Sequence, residues 1–241
     1  MDRNSNAYTF LFAIALVAVV ASALAFAATS LQPAQAKNVK EEKMQNILGT
    51  VGIETSRDSA QVLFNKYIVE QVALSSDGTP KADVNAFEVD LKKELKKPVE
   101  EQAFPLYVAD VEGSKYYVVP LRGKGLWDAI WGYIALKDDV NTIKGAVFDH
   151  KGETPGLGAE ITQGWFRKRF EEEKIFDGDG NFIGVSVAKG YQGGDNKDDN
   201  AVDAISGATI TGDGVTDMIS ERLKNYLPYF EKNTNIKVAM K

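Results

Sequence analysis

Phe104-Pro105-Leu106-Tyr107-Val108-Ala109-Asp110-Val111, then Glu112-Gly113-Ser114, then Lys115-Tyr116-Tyr117-Val118-Val119-Pro120-Leu121 is the stretch that decides the fold. Two runs rich in aromatic and β-branched residues, separated by a short break containing glycine, read as an antiparallel hairpin. Residues 130–136 and 143–148 repeat the pattern, with Lys137-Asp138-Asp139 opening the turn between them. Residues 182–188 add a further strand, in which Ile183, Val185 and Val187 alternate with smaller residues. Helical patterns lie outside this block. Residues 59–74 place Val62, Leu63, Tyr67, Ile68 and Val72 on one helical face. Residues 90–97 read as a surface helix ending before Pro98, 165–173 as another helix, and 217–227 as a C-terminal helix stopped by Pro228. Strands in the middle with helices at the edges predict an α+β domain built on a mainly antiparallel sheet. Residues 75–102 are crowded with Lys, Glu and Asp and read as a solvated face, and 190–200 as a Gly/Asp/Asn-rich loop. No fixed-period repeat is present.

Residues 8–28 carry no charge, and their 21 positions give roughly 31 Å of helix at about 1.5 Å per residue. That crosses a hydrocarbon core of about 30 Å, so a single N-terminal transmembrane helix is expected. Ala34-Gln35-Ala36 also reads as a signal-peptidase site, but the apolar run exceeds the usual h-region of roughly 7–15 residues. The expected division is a membrane anchor at 1–36, a charged helical stalk and leading segment at 37–103, and the domain core at 104–241. Lys37, Lys40 and Lys43 follow the apolar run and by the positive-inside rule would place the domain in the cytoplasm. Large domains, however, translocate largely regardless of charge.

Across 241 residues the chain is 44% hydrophobic with a formal charge of −6. A net acidic domain without a basic stripe argues against a nucleic-acid partner. The chain contains no cysteine, which excludes disulfides, cysteine nucleophiles and cysteine-ligated iron–sulfur clusters within it. His150 is the only histidine, so no metal site built from histidines is available.

Three short segments carry the chemistry. Asp203-Ala204-Ile205-Ser206-Gly207-Ala208-Thr209-Ile210-Thr211 places small residues before a helix-like pattern, where a phosphate would meet unpaired N–H groups and a favourable dipole. The plainer reading is a Ser/Thr-rich turn that caps the helix. Gly152-Glu153-Thr154-Pro155-Gly156-Leu157-Gly158-Ala159-Glu160 reads as a tight turn. Glu153 and Glu160 invite a paired-carboxylate glycosidase reading. No run of aromatic residues for a sugar cleft supports it. Gly123-Lys124-Gly125-Leu126-Trp127 is the third segment; Trp127 fits either a stacked aromatic ligand or ordinary core packing, and Lys124 either a contact to an anionic group such as a phosphate or, more simply, a solvated lysine.

In the same order, these three segments resemble the FMN-binding family that contains the C subunit of the sodium-translocating NADH:quinone reductase, with the G subunit of the Rnf-type ferredoxin-driven complex as a close relative. Ser206-Gly207-Ala208-Thr209 resembles that family's Ser-Gly-Ala-Thr flavinylation motif. The resemblance covers nearly the whole chain. It implies FMN attached to Thr209 by a phosphoester, although by chemistry alone Thr211 is an equally good acceptor. Implied flavin contacts are Ser206, Gly207, Ala208, Thr211, Thr154, Gly156, Leu157, Gly158 and Trp127. Asp203 reads as a metal ligand for the maturing enzyme or as a turn aspartate. Implied partners are the other membrane subunits of a redox pump and a flavin transferase. The implied work is electron relay during NADH oxidation, quinone reduction and sodium export, with the domain on the outer side of a bacterial inner membrane. A membrane-anchored flavin sensor and a structural adaptor with no flavin are the competing readings.

Overall fold

The structure, a computed structural model, describes residues 3, 5–191, 193, 196–234 and 236. It separates into two units, residues 1–43 and 44–241. The long helix α1 spans Asn6–Thr50 and so continues well beyond the apolar 8–28 run. Its extension is built from Ala, Leu, Gln, Lys and Glu, which are strong helix formers and carry it through Pro33. In the first unit the apolar side chains face outward, with Phe26 76% exposed, as a helix surrounded by lipid requires. By length and composition this helix is a membrane anchor.

In the second unit the last turns of α1 bury Met44, Ile47 and Leu48. Gly52, at φ +85°, ends the helix, and the N–H of Ile53 donates to the Leu48 carbonyl at 3.1 Å. That 6→1 bond closes a Schellman-type cap. Helix α2 (Arg57–Tyr67) leads straight into strand β1 (Ile68–Leu74). The helix expected over 59–74 is therefore two elements. Ile68 and Val72 fit a helical face by spacing, but β-branched side chains also suit a sheet edge, and pairing of β1 with the next strand decides it.

Strands β2 (Phe104–Val111), β3 (Ser114–Lys124), β4 (Ala129–Lys137) and β5 (Ile143–His150) complete a five-stranded sheet of order β1-β2-β3-β4-β5, antiparallel throughout. Glu112 and Gly113 both adopt positive φ, so the β2–β3 turn is tighter than expected and Ser114 already pairs with Val111. Tyr107 faces Val118, which faces Ala135, and these lie with α2 and the end of α1 on one side of the sheet. Leu106, Val119, Leu121 and Ile134 point to the other side, where they pack with Val215, Met218, Ile219 and Leu223 of helix α5 (Thr209–Lys224). The expected α+β architecture holds.

Several local expectations are corrected. The helix expected over 90–97 is one turn, α3 (Leu91–Glu94), capped by Asp90, which accepts from the Lys92 N–H. The 165–173 helix is likewise short: α4 (Gly164–Arg167) passes into a 3-10 turn at Lys168–Phe170, and Glu172 then takes a positive φ. Only Ser186–Ala188 of the 182–188 run is a strand, β6; Gly184, at φ +81°, breaks the run. β6 pairs in parallel with β7 (Ala201–Asp203), outside the main sheet. Helix α5 begins eight residues before the expected 217 and ends before Leu227. Pro228 lies in the first turn of helix α6 (Leu227–Asn233), where a missing N–H costs nothing, and so opens a helix instead of stopping one.

Candidate functional site

Gly212 and Gly214 hide the true start of α5 from propensity reasoning, and close packing explains them. A Cβ on Gly214 would lie 2.2 Å from the Lys124 carbonyl oxygen, and one on Gly123 would lie 2.8 Å from Met218 Cβ. Glycines thus let the first half of α5 rest directly on the end of β3. At that end of the sheet the β3–β4 turn, Gly125-Leu126-Trp127-Asp128, is closed by the Gly125 N–H donating to the Asp128 carbonyl at 2.8 Å. The segment after β5 begins beside it, with the Lys151 N–H donating to the Ala129 carbonyl at 3.0 Å. All three sequence motifs meet here.

Glu153 joins them. It is 4% exposed; one carboxylate oxygen accepts from the Trp127 N–H at 3.0 Å and the other from the Thr211 hydroxyl at 2.7 Å. Its own N–H donates to His150 Nδ1 at 3.1 Å. Burial raises the Glu153 pKa, but hydrogen bonds from the Trp127 amide, the Thr211 hydroxyl and the amides of Asp128 and Leu126 outweigh it and hold the carboxyl below its ordinary value. Gly125 and Gly158 make room, since a Cβ on either would sit 2.5 Å from a Glu153 carboxylate oxygen. Glu160 serves a separate turn, accepting from the Gly156 N–H at 3.0 Å, where Gly156 has φ +75°. The paired-carboxylate reading therefore fails: each glutamate is committed to holding backbone. Sequence reasoning missed the Glu153 role. Its signal was an acid lying between glycines that a turn alone does not require.

The remaining residues form an open shelf. The Trp127 indole N–H donates to Thr154 Oγ1 at 3.1 Å, and Trp127 is 67% exposed, which overturns its core-packing reading. Thr154 accepts the Leu157 and Ala159 N–H groups at its carbonyl. Leu157 is partly exposed and lies against Gly207, whose Cβ would fall 2.7 Å from it. Ser206 and Gly207 are exposed, Thr209 is half-buried and is the first residue of α5, and Ile210 is exposed. Ala208 occupies the N-cap position, with no side-chain cap, so the capping reading of Ser206 to Thr209 does not hold. Among the described residues the Thr209 hydroxyl makes no hydrogen bond, whereas Thr211 is buried on Glu153. Lys124 is exposed, as expected of a solvated lysine. Asp203 ends β7, and its carbonyl accepts from Arg169 at 2.5 Å.

An uncapped helix start beside an apolar shelf suits a flat cofactor carrying a phosphate. The family model for the FMN-binding domain matches residues 125–224, a range that includes Trp127, the Glu153–Gly158 turn and the whole of α5. The C subunit of the Na(+)-translocating NADH-quinone reductase of Neisseria meningitidis serogroup A is 30% identical over 96% of this chain and 95% of its own length. Its Vibrio anguillarum counterpart is 31% identical, over 89% of each. Among solved structures, the C subunit from Parabacteroides distasonis superposes with a TM-score of 0.75 at 38% identity, covering 83% of this chain and 96% of that one. Shewanella oneidensis NqrC gives 0.69 at 27%, covering 81% and 98%.

The fold and site define an FMN-binding flavoprotein domain behind a helical membrane anchor. More specifically, the chain belongs to the family of the C subunit of the Na(+)-translocating NADH-quinone reductase, and so to the electron-transferring flavoprotein subunits of a multi-subunit oxidoreductase.

Proposed function

We propose that Thr209 carries FMN through a phosphoester, and that the chain relays electrons within a pump that oxidises NADH, reduces quinone and exports sodium. One observation carries the attachment site: Thr209 opens an uncapped helix with its hydroxyl unbonded among the described residues, while Thr211, two residues on, is buried on Glu153. The first-turn N–H groups and dipole of α5 would hold the phosphate. Ser206 and Gly207 leave room for its approach, Trp127 and Leu157 offer apolar surface to the ring, and Thr154 positions the indole. Bound FMN supplies a ring that accepts and returns one or two electrons. A flavin transferase loads it: the Thr209 oxygen displaces AMP from the FMN phosphate of FAD, and the hydroxyl proton is released. Tethering meets the roughly 4–15 kcal/mol of association entropy once, which favours it wherever free FMN is scarce.

Residues 8–28 span the inner membrane, and the domain from 37 onward lies on the periplasmic side with the partner subunits. Protease treatment of intact spheroplasts should cleave this domain; full protection would reverse the orientation. Peptide mass mapping and denaturing-gel fluorescence test the attachment. Thr209→Ala should lose the covalent flavin and Thr211→Ala should keep it. The opposite result would move the attachment to Thr211.

A further inference from the structure

Glu153 is a buried carboxylate with no cationic partner among the described residues, fixed at the junction of segments 26 and 58 positions apart in sequence. Such a group is costly to bury unless every bond to it is made. Burial alone would favour a hydrophobic residue here, so the carboxylate is retained for what it holds. One oxygen pins the amide of Trp127, whose indole is tied to Thr154. The other pins Thr211, two residues after Thr209 in the first turn of α5. Gly125 and Gly158 close on the same two oxygens and leave no room for a bulkier arrangement.

We infer that Glu153 is a positioning residue: with Thr211 as its contact, it fixes the first turn of α5 against the Trp127 turn, so that the Thr209 hydroxyl is presented beside the apolar shelf in the order the transferase requires. The inference rests on Thr209 being the attachment point. It assigns Glu153 no proton transfer and no direct contact with flavin. Because Thr211 stands between Glu153 and Thr209, removing the Thr211 hydroxyl while keeping its shape uncouples the helix start from the turn.

The full chain is co-expressed with a flavin transferase, and covalent FMN is followed by mass as a function of time. Thr211→Val should be labelled at least fivefold more slowly than the parent, and Thr211→Ser should return to within twofold. In the unlabelled chain, Glu153→Ala should speed hydrogen exchange of the Trp127 amide at least tenfold. Phe64→Leu, on the opposite side of the sheet, lowers stability without touching the site and should be labelled at the parent rate, which separates positioning from general loosening. Parent-rate labelling of Thr211→Val would overturn the inference even if Glu153→Ala failed to fold. Equal slowing in Phe64→Leu, or no rescue by Thr211→Ser, would overturn it as well. Loss of label in Thr209→Ala alongside any of these results leaves the attachment site standing. Label that persists in Thr209→Ala removes both.

Discussion

The two sides of the sheet are held together by different means. On one side Phe64 packs edge-on to Phe87 and Tyr107, at ring separations of 5.6 and 6.2 Å, amid Ile47, Leu48 and Val118. This is bulk filling space. On the other side, toward the site, α5 approaches β3 through Gly123 and Gly214, and the junction is closed by a buried carboxylate and a hydroxyl. The first side has apolar area to lose. The second has a spacing to lose, and a site depends on spacing.

The largest stability effect should therefore fall where no function is expected. Phe64→Ala empties a buried aromatic position and should cost about 3–5 kcal/mol in denaturant unfolding. Chain that remains folded should still take up covalent flavin. Gly214→Ala should cost less, about 1–3 kcal/mol, because a Cβ 2.2 Å from a backbone oxygen forces α5 outward while Ala regains some helix propensity. Its labelling should nevertheless fall sharply. If the two variants lose labelling in proportion to stability, the contrast between the sides breaks.

Two buried glutamates sharpen it through pH. Glu153 has a folded pKa below its ordinary 4.5, since its hydrogen bonds exceed the effect of burial. The unfolded chain then binds more protons below about 4.5, so the stability Glu153 contributes is present above that pH and lost as pH falls. Glu173 is the reverse. Burial raises its pKa, the Lys197 ion pair at 2.9 Å only partly opposes this, and one of its oxygens has no hydrogen-bond partner among the described residues. Its contribution is present at low pH and lost as pH rises from about 4.5 through the raised value. Thermal melts from about pH 2 to 8 should show Glu153→Gln flattening the acid limb below about 4.5, and Glu173→Gln flattening the decline on the other side of it. Identical profiles for the two variants would contradict this assignment.

The sheet was legible in the sequence because aromatic and β-branched residues run in blocks, as at 104–111, and turns interrupt them. β1 was not, because Ile68 and Val72 satisfy both periods and only pairing with β2 separates them. β7 has three residues, too few to show a pattern. The start of α5 was hidden by Gly212 and Gly214, whose cost to a helix is visible locally and whose reasons are distant: Val187 for Gly212 and, 90 residues away, Lys124 for Gly214. The threonines and the shelf residues could be named from motifs. What distinguishes Thr209 from Thr211 is burial on Glu153, and no local pattern encodes that.

The smallest effect expected is at Lys151. Its ammonium lies 2.7 Å from Asp128, in the same turn as Trp127, so it invites a role in holding the site. Both side chains are exposed, at 67% and 45%. The Lys151 hydrogen bond comes first among the causes that lower the Asp128 pKa, but an exposed pair in high dielectric contributes little after the entropy of fixing two flexible side chains. Lys151→Ala should leave unfolding free energy within measurement error of the parent, with any difference shrinking as salt is raised. Covalent labelling should proceed at the parent rate, because the Trp127 amide remains on Glu153. A labelling defect in Lys151→Ala that is large at low salt and vanishes at high salt would show that surface charge, and not the buried carboxylate, orders this turn.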